Sequence, residues 1–368
     1  VDWEGESDHS GFEQLQRRVA SVVSPRMPPQ RQLKTTNNEL ALPKIFYSVS
    51  SYNTSIKPSE AVQALRILKA PSILVSAYDL ISREPKEMIP ELANDKNNEH
   101  EPERIISELK KYQKAGGVIL LDSGNYEACR LEDESWSVNA FKKVLANTPH
   151  DYVFCFDNMN QNIGKQKAID QIVEAVRRDQ KLTTSPVLPV VHAPELKKGG
   201  YRLKYIPHIF NEVSKVLQPP LIAIPERELG GGIIARAKMV RAIRKELNKL
   251  PYYQPIHILG TGHPWAIAIF VAAGADSFDG LEWCRYTFDQ DRGGISHFHL
   301  FDLFGDIDDS KMGFSANVAV HNFKFLEEFE TLMHSCLADN KVELWVNGVI
   351  NDKKIFHKLK SQFPEIFE

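Results

Sequence analysis

The 368-residue chain has few cysteines and no pattern in them. Cys129, Cys155, Cys284 and Cys336 are scattered, and no two form a C-x-x-C pair. This argues against a disulfide-stapled scaffold and fits a reducing compartment. Long apolar runs are also missing. None approaches the roughly 20 residues that a membrane helix needs. With no signal-peptide pattern either, a cytoplasmic location is expected. Charge of one sign is missing as well. Lys and Arg total 45 against 48 Asp and Glu, a net charge of −3. No global basic field therefore announces nucleic acid, although clustered phosphate contacts remain compatible with this balance. No G-x-G-x-x-G or P-loop follows the first predicted strand, which weakens a doubly wound nucleotide-binding sheet. No catalytic Cys, Ser-His motif or regular metal spacing is present.

What the chain does have is alternation. Residues 1–40 are polar and irregular. A short helix is expected over 11–23, and SPRMPPQRQLKTTNN (24–38) reads as a linker or arm. From Lys44 onward eight apolar, β-rich runs appear: 45–51, 72–78, 117–123, 152–157, 187–193, 221–225, 256–262 and 275–280. Helical patterns separate them, at 59–70, 101–116, 138–148, 166–180, 205–217, 233–250 and 264–275. Continuous apolar strands alternating with helices imply a parallel sheet covered on both faces. Eight such units match a (β/α)₈ TIM-type barrel, of class α/β, over 41–300. Residues 301–368 read as a C-terminal helical appendage. It comprises a long helix over 321–341, a short strand or turn over 342–348 and a last helix over 351–363.

In such a barrel the active site lies at the C-terminal ends of the strands. Here those ends are polar. Asp122-Ser123-Gly124-Asn125-Tyr126-Glu127 closes the third strand and Asp157-Asn158 the fourth. His192 closes the fifth. Glu226 and Arg227 follow the sixth, with Gly230 and Gly231 beyond, and Asp279 ends the eighth. Each has an ordinary reading: an Asp after a strand is often a helix N-cap, a Gly-rich stretch is often a turn, and His192 alone reads as structural. Jointly they are harder to explain that way. Three carboxylates converging on one barrel mouth repel one another unless paired or used. Paired carboxylates suit double displacement at an anomeric carbon.

The same segments, in order, resemble the tRNA-guanine transglycosylases and their DNA-modifying relatives. LDSGNYE (121–127) is similar to that family's D-S-G-G-F/Y-Q motif. VFCFDN, PVVHA and HILGTGHP resemble its next strands, and GADSFDGLEWCR (274–285) resembles its nucleophile segment. HNFKFLEEFETLMHSCL (321–337) resembles its C-terminal H-N-x-x-F helix. The resemblance implies a barrel in which Asp279 attacks C1′ of a target guanosine and Asp122 serves as general acid and base. It implies that Asp157 reads the heterocycle edge and Tyr126 stacks on the base. Ser123, His192, Leu259, Glu226, Gly230 and Gly231 would complete the base pocket.

The departures from the family are local. Its C-x-C-x-x-C zinc motif is absent, since residues 286–320 contain no cysteine. Cys284 with His297 and His299 has an atypical spacing for zinc, so no metal or other cofactor is expected. The tRNA-reading stretch is replaced by Glu282-Trp283-Cys284-Arg285-Tyr286. These departures favour DNA over tRNA as partner and a 7-deazaguanine, such as 7-cyano-7-deazaguanine, as incoming base. Trp283, Arg285 and Tyr286 are expected to contact flanking nucleotides. Lys197, Lys198, Arg202 and Lys204, and the basic helix over 233–250, could meet a backbone. A homodimer or partner proteins stay open. So do a nucleosidase or glycoside hydrolase, in which water resolves the intermediate, and a non-catalytic nucleic-acid-binding subunit.

Overall fold

The computed structural model describes residues 31–35, 38–51, 54, 56–81, 100–159, 164–196, 198–289, 294–303 and 313–367. The helix expected over 11–23, most of the linker and Lys197 lie outside them. Two short strands come first, β1 (Gln32–Lys34) and β2 (Glu39–Ala41). The barrel strands follow: β3 (Lys44–Val49), β4 (Ser72–Ser76), β5 (Val118–Asp122), β6 (Tyr152–Phe154), β7 (Val187–Leu188), β8 (Ile222–Pro225), β9 (Ile256–Leu259) and β10 (Ser277–Gly280). They pair in parallel in the order β7-β6-β5-β4-β3-β10-β9-β8. A bridge between Val190 and Ala223 joins the two ends and closes the ring.

Helices between the strands cover the outside: α1 (Pro58–Ile67), α2 (Glu101–Lys114), α3 (Asn125–Arg130), α4 (Val138–Asn147), α5 (Lys165–Asp179), α6 (Ile206–Leu217), α7 (Ile233–Leu247) and α8 (Pro264–Ala273). The expected (β/α)₈ barrel is therefore the fold. Its strands are buried on both faces, so neighbouring residues divide between two cores. Phe46, Leu74, Leu120, Phe154, Leu188 and Ala223 fill the barrel interior. Ile45, Ile73, Ile119, Val153, Ile222 and Ile258 face the helices. The same alternation turns Ser48, Asp122, His192 and Asp279 inward at the C-terminal mouth.

Three local expectations are corrected. β1, within the supposed linker of 24–38, pairs antiparallel with β2 just beyond it, Leu33 against Leu40. Both leucines join the barrel-interior core, and Tyr152 donates its hydroxyl to Lys34 O at 2.6 Å. Apolar burial outweighs the polar composition around it, and the hairpin crosses the boundary set at residue 40. Past the barrel, a short helix α9 (Glu282–Arg285) leads into a hairpin that was not expected, β11 (Tyr286–Asp289) with β12 (Gly294–His297). Finally, 342–348 is not a strand. The long helix α10 (Phe314–Ala338) is followed by α11 (Val342–Ile350) and α12 (Lys353–Gln362). Trp345, Val346, Val349 and Ile350 recur at helical spacing on the buried face of α11, which packs against α8.

Among the described residues, no helix is long and apolar enough to cross a membrane.

Candidate active site

A cavity of about 430 Å³ opens at the C-terminal mouth of the barrel. Asp122, Ser123, Tyr126, Asp157, His192, Glu226, Leu259, Asp279 and Arg285 all line it.

Asp279 sits at the end of β10 and is 7% exposed. Ser48 Oγ donates to Oδ2 at 2.8 Å, and the Gly260 N–H donates to Oδ1 at 2.9 Å. His257 Nε2 lies 3.1 Å from Oδ1, and its Nδ1 lies 2.6 Å from Ser277 Oγ. Groups from two strands, β3 and β9 with the residue just past its end, thus fix the carboxylate's orientation before any ligand arrives. Neither Ser48 nor His257 was singled out from the sequence. The signal was their position: both fall on the inward phase of an otherwise apolar strand, where a polar side chain needs a buried partner.

Asp122 is placed differently. Its Oδ2 accepts the Gly124 N–H at 2.9 Å, across a turn in which Gly124 takes φ +71°. A Cβ on Gly124 would lie 2.5 Å from the Tyr78 backbone nitrogen, so glycine is required there. Burial pushes the Asp122 carboxyl up to about 7, against the Gly124 hydrogen bond and with the help of the Asp157 and Asp279 charges. Two further acids share the cavity. Glu127 is pushed up to about 8 by burial and then by the Asp122 and Asp79 charges. Glu282 is pushed up to about 7 by burial and then by Asp279 and Glu226, with Arg285 opposing.

Asp157 belongs to a buried chain. Ser123 Oγ donates to its Oδ1 at 3.1 Å, and its Oδ2 pairs with His192 Nε2. His192 Nδ1 lies 3.0 Å from Glu228 Oε1. Burial works against charge on both Asp157 and His192, but their mutual hydrogen bond wins. The Asp157 carboxyl is held below its usual range, and His192, helped by Glu228, rises to about 10. His192 is therefore a bridging histidinium. Glu228, which completes the chain from the 3-10 turn after β8, Glu226–Leu229, was not among the expected site residues.

The remaining expectations divide. Glu226 accepts from Arg236 at 2.6 Å and from Thr261 Oγ1 at 2.8 Å, at the cavity edge. Tyr126 is partly exposed at the mouth, with the Arg227 guanidinium 4.1 Å over its ring. Gly230 and Gly231 do not line the cavity: Gly230 instead gives its carbonyl to Arg236 Nε at 2.9 Å. Trp283 is corrected outright. It is 2% exposed, packs edge-on against Tyr47 and donates its indole N–H to Ser48 O at 2.9 Å. It supports the strand bearing Ser48 and is not placed to stack on a nucleotide. Tyr286 is half-buried at the start of β11, outside the cavity, while Lys198 and Arg202 are exposed in the loop after β7.

The residues do not fit the family's zinc site. The Cys284 thiol is buried and donates to Leu281 O at 3.4 Å. Among the described residues, no group of three or more His, Cys, Asp or Glu is arranged to hold a metal ion.

No protein-family model matches the chain. It is similar to the tRNA-guanine(15) transglycosylase of Aeropyrum pernix, 24% identical over 187 residues, which is 46% of this chain and 33% of the relative. The enzyme of the same name from Korarchaeum cryptofilum is 23% identical over 268 residues, 70% of this chain and 40% of the relative. That of Methanopyrus kandleri is 40% identical over 49 residues, 13% of this chain and 11% of the relative. The chain thus spans about a third to two fifths of the length of the first two. These similarities do not single out the DNA-modifying branch. With the barrel and the order of its motifs, they support a relationship to the tRNA-guanine transglycosylase superfamily.

Proposed function

We propose that the chain is a guanine transglycosylase that exchanges a guanine in a polynucleotide for a 7-deazaguanine. The observation that carries this reading is the unlike setting of two carboxylates at one cavity. Asp279 is held by surrounding donors, whereas burial keeps Asp122 protonated up to about pH 7. Carboxyls whose environments differ in this way take different chemical roles.

In the proposed reaction a target nucleotide leaves its stack and enters the cavity. Asp279 attacks C1′, a C–O bond forms and the C1′–N9 bond breaks. The bonding pair leaves on the purine, and Asp122 delivers the proton that neutralises it. Asp122, now a carboxylate, takes the ring N–H proton of the incoming base. That base attacks C1′ and releases Asp279. Asp157 accepts hydrogen bonds from the edge of each base in turn. The balance needs no oxidant, reductant or added cofactor.

A polynucleotide substrate, in preference to a free nucleoside, is supported by Arg130, Arg227 and Arg285 at the cavity mouth. DNA is favoured over tRNA because the tRNA-reading stretch and zinc motif of the family are both replaced. The names of the archaeal relatives keep tRNA as the second reading.

The test supplies labelled guanine with duplex DNA, single-stranded DNA and tRNA in parallel. Incorporation into one polymer is expected, with release when excess 7-cyano-7-deazaguanine is added. Incorporation into none overturns the transglycosylase reading, and incorporation into tRNA alone overturns the DNA assignment.

A further inference from the structure

Behind Asp157 lies a buried chain of charges that the displacement does not itself use. Glu228 accepts the Ala193 N–H at 2.8 Å and faces His192 Nδ1 at 3.0 Å. His192, 3% exposed, meets Asp157 through its other nitrogen. Both ring nitrogens face carboxylate oxygens, and only the doubly protonated imidazolium can donate to both. Its two N–H groups are then used within the chain, so neither is left for a ligand.

This fixes what Asp157 can offer. One of its oxygens receives Ser123 and the other receives His192. An ionised carboxylate has roughly four acceptor positions, so each oxygen keeps capacity toward the cavity. Two adjacent acceptors with no proton of their own match two adjacent N–H donors. Guanine and 7-deazaguanines present such an edge, a ring amide N–H beside an exocyclic amine. Hypoxanthine lacks the amine. Adenine turns a ring lone pair toward the carboxylate and is repelled.

Resting on the transglycosylase reading, we propose that Glu228 and His192 are positioning residues. They hold Asp157 as an acceptor-only carboxylate and so restrict the cavity to bases with a 2-amino-lactam edge. Discrimination by a buried, pre-ionised acceptor is strong because a ligand lacking one donor leaves it unpaired. Other charged or titratable groups bear on the chain. Arg227 approaches Glu228 at 3.5 Å, and Tyr201 interacts with both. Asp122, Arg178 and Cys155 feel the Asp157 charge.

The test measures equilibrium binding of free guanine and free hypoxanthine to the full chain, without polymer, for wild type, Glu228→Gln and His192→Gln. Wild type is expected to bind guanine about tenfold or more tighter than hypoxanthine. That ratio should stay flat from about pH 6 to about pH 9, below the His192 titration. Glu228→Gln removes the anion that helps hold the proton on His192. Its guanine affinity should fall as pH rises within the same range, and its selectivity should shrink to about threefold or less. His192→Gln should shrink selectivity at every pH, and it serves alone if Glu228→Gln does not fold. A purely structural role would weaken both bases equally and leave the ratio and pH profile unmoved, which would overturn the proposal. Wild type binding both bases equally overturns it too, with the transglycosylase reading intact. Binding of neither base overturns the proposal, and the exchange assay then decides the transglycosylase reading by itself.

Discussion

At the scale of single residues, the two central aspartates predict different phenotypes. Asp279→Asn keeps the shape of the Ser48, Gly260 and His257 cradle but loses the oxygen proposed to attack C1′. On that reading wild type forms a denaturation-resistant protein–polynucleotide adduct, and in the variant it should vanish. Asp122→Asn leaves the nucleophile intact and removes the proton carrier, so exchange should fall by about 10²–10⁴-fold. In wild type, single-turnover guanine release should slow as pH rises through about 7, because the protonated Asp122 that feeds the leaving base is being lost. Stability follows the same sign. The folded-state value lies above the ordinary 3.8, so the folded protein holds the extra proton between the two. Wild type therefore loses stability as pH rises from about 4 to about 7, whereas Asp122→Asn carries no such proton. Thermal melts over that window should show the variant gaining on wild type, and a constant gap would contradict the burial of Asp122. Much of this site was legible in the sequence. Asp122, Asp157 and Asp279 stand at strand ends, where the barrel geometry exposes inward side chains to one cavity. Trp283 was misjudged because a sequence cannot say which side of a short helix faces the core. Glu228 was passed over because its role depends on a histidine 36 positions away.

Elements act on the site through their packing. The two residues that open the H-N-x-x-F pattern of α10 grip the segment just after Asp279. Asn322 Nδ2 donates to Trp283 O at 2.8 Å and Tyr286 O at 2.7 Å, and its Oδ1 accepts the Phe288 N–H at 2.9 Å. His321 Nε2 lies 2.8 Å from Phe288 O. Asn322→Ala would strand buried backbone groups, each costing about 1–3 kcal/mol. It should lower the melting temperature and the rate of adduct formation while leaving guanine binding nearly unchanged. Equal loss of binding and rate would place Asn322 in the base pocket instead. About two turns further along, Glu330 accepts from Lys44 Nζ at 2.6 Å and from the Ile45 N–H at 2.7 Å, tying α10 to the first barrel strand. Both side chains are about nine-tenths buried. Glu330→Ala leaves the Lys44 ammonium unpaired, and a loss of about 3–5 kcal/mol in chemical denaturation is expected. α10 was legible in its amphipathic length, but neither clamp was, because both join residues that only the closed barrel brings together. The 342–348 segment was misread for a related reason. Its apolar face, with Trp345 and Val349, is buried where it packs against α8 and α10, whereas its β-branched composition reads locally as a strand or turn.

For the whole molecule, the balance between acid and base is uneven in space even though net charge is small. Acidic groups gather inside the mouth, in Asp122, Glu127, Asp157, Asp279 and Glu282, while arginines stand among them at the rim. On the proposed reading, these arginines would meet the phosphates of a polynucleotide, and only the flipped base and its C1′ would pass inward. Arg236 is committed to Glu226, and Arg227 is stacked on Tyr126. Arg285, on α9 just past the nucleophile strand, is the better candidate for a phosphate beside the reacting nucleotide. Arg285→Ala should weaken polynucleotide binding without changing the affinity for free guanine. If the guanidinium meets one phosphate, the slope of log affinity against log salt should fall by about 0.7–0.9. A weakened affinity with an unchanged slope would assign Arg285 to the acid cluster, where it lowers the Glu282 carboxyl, and the polymer would then have to enter over another part of the rim.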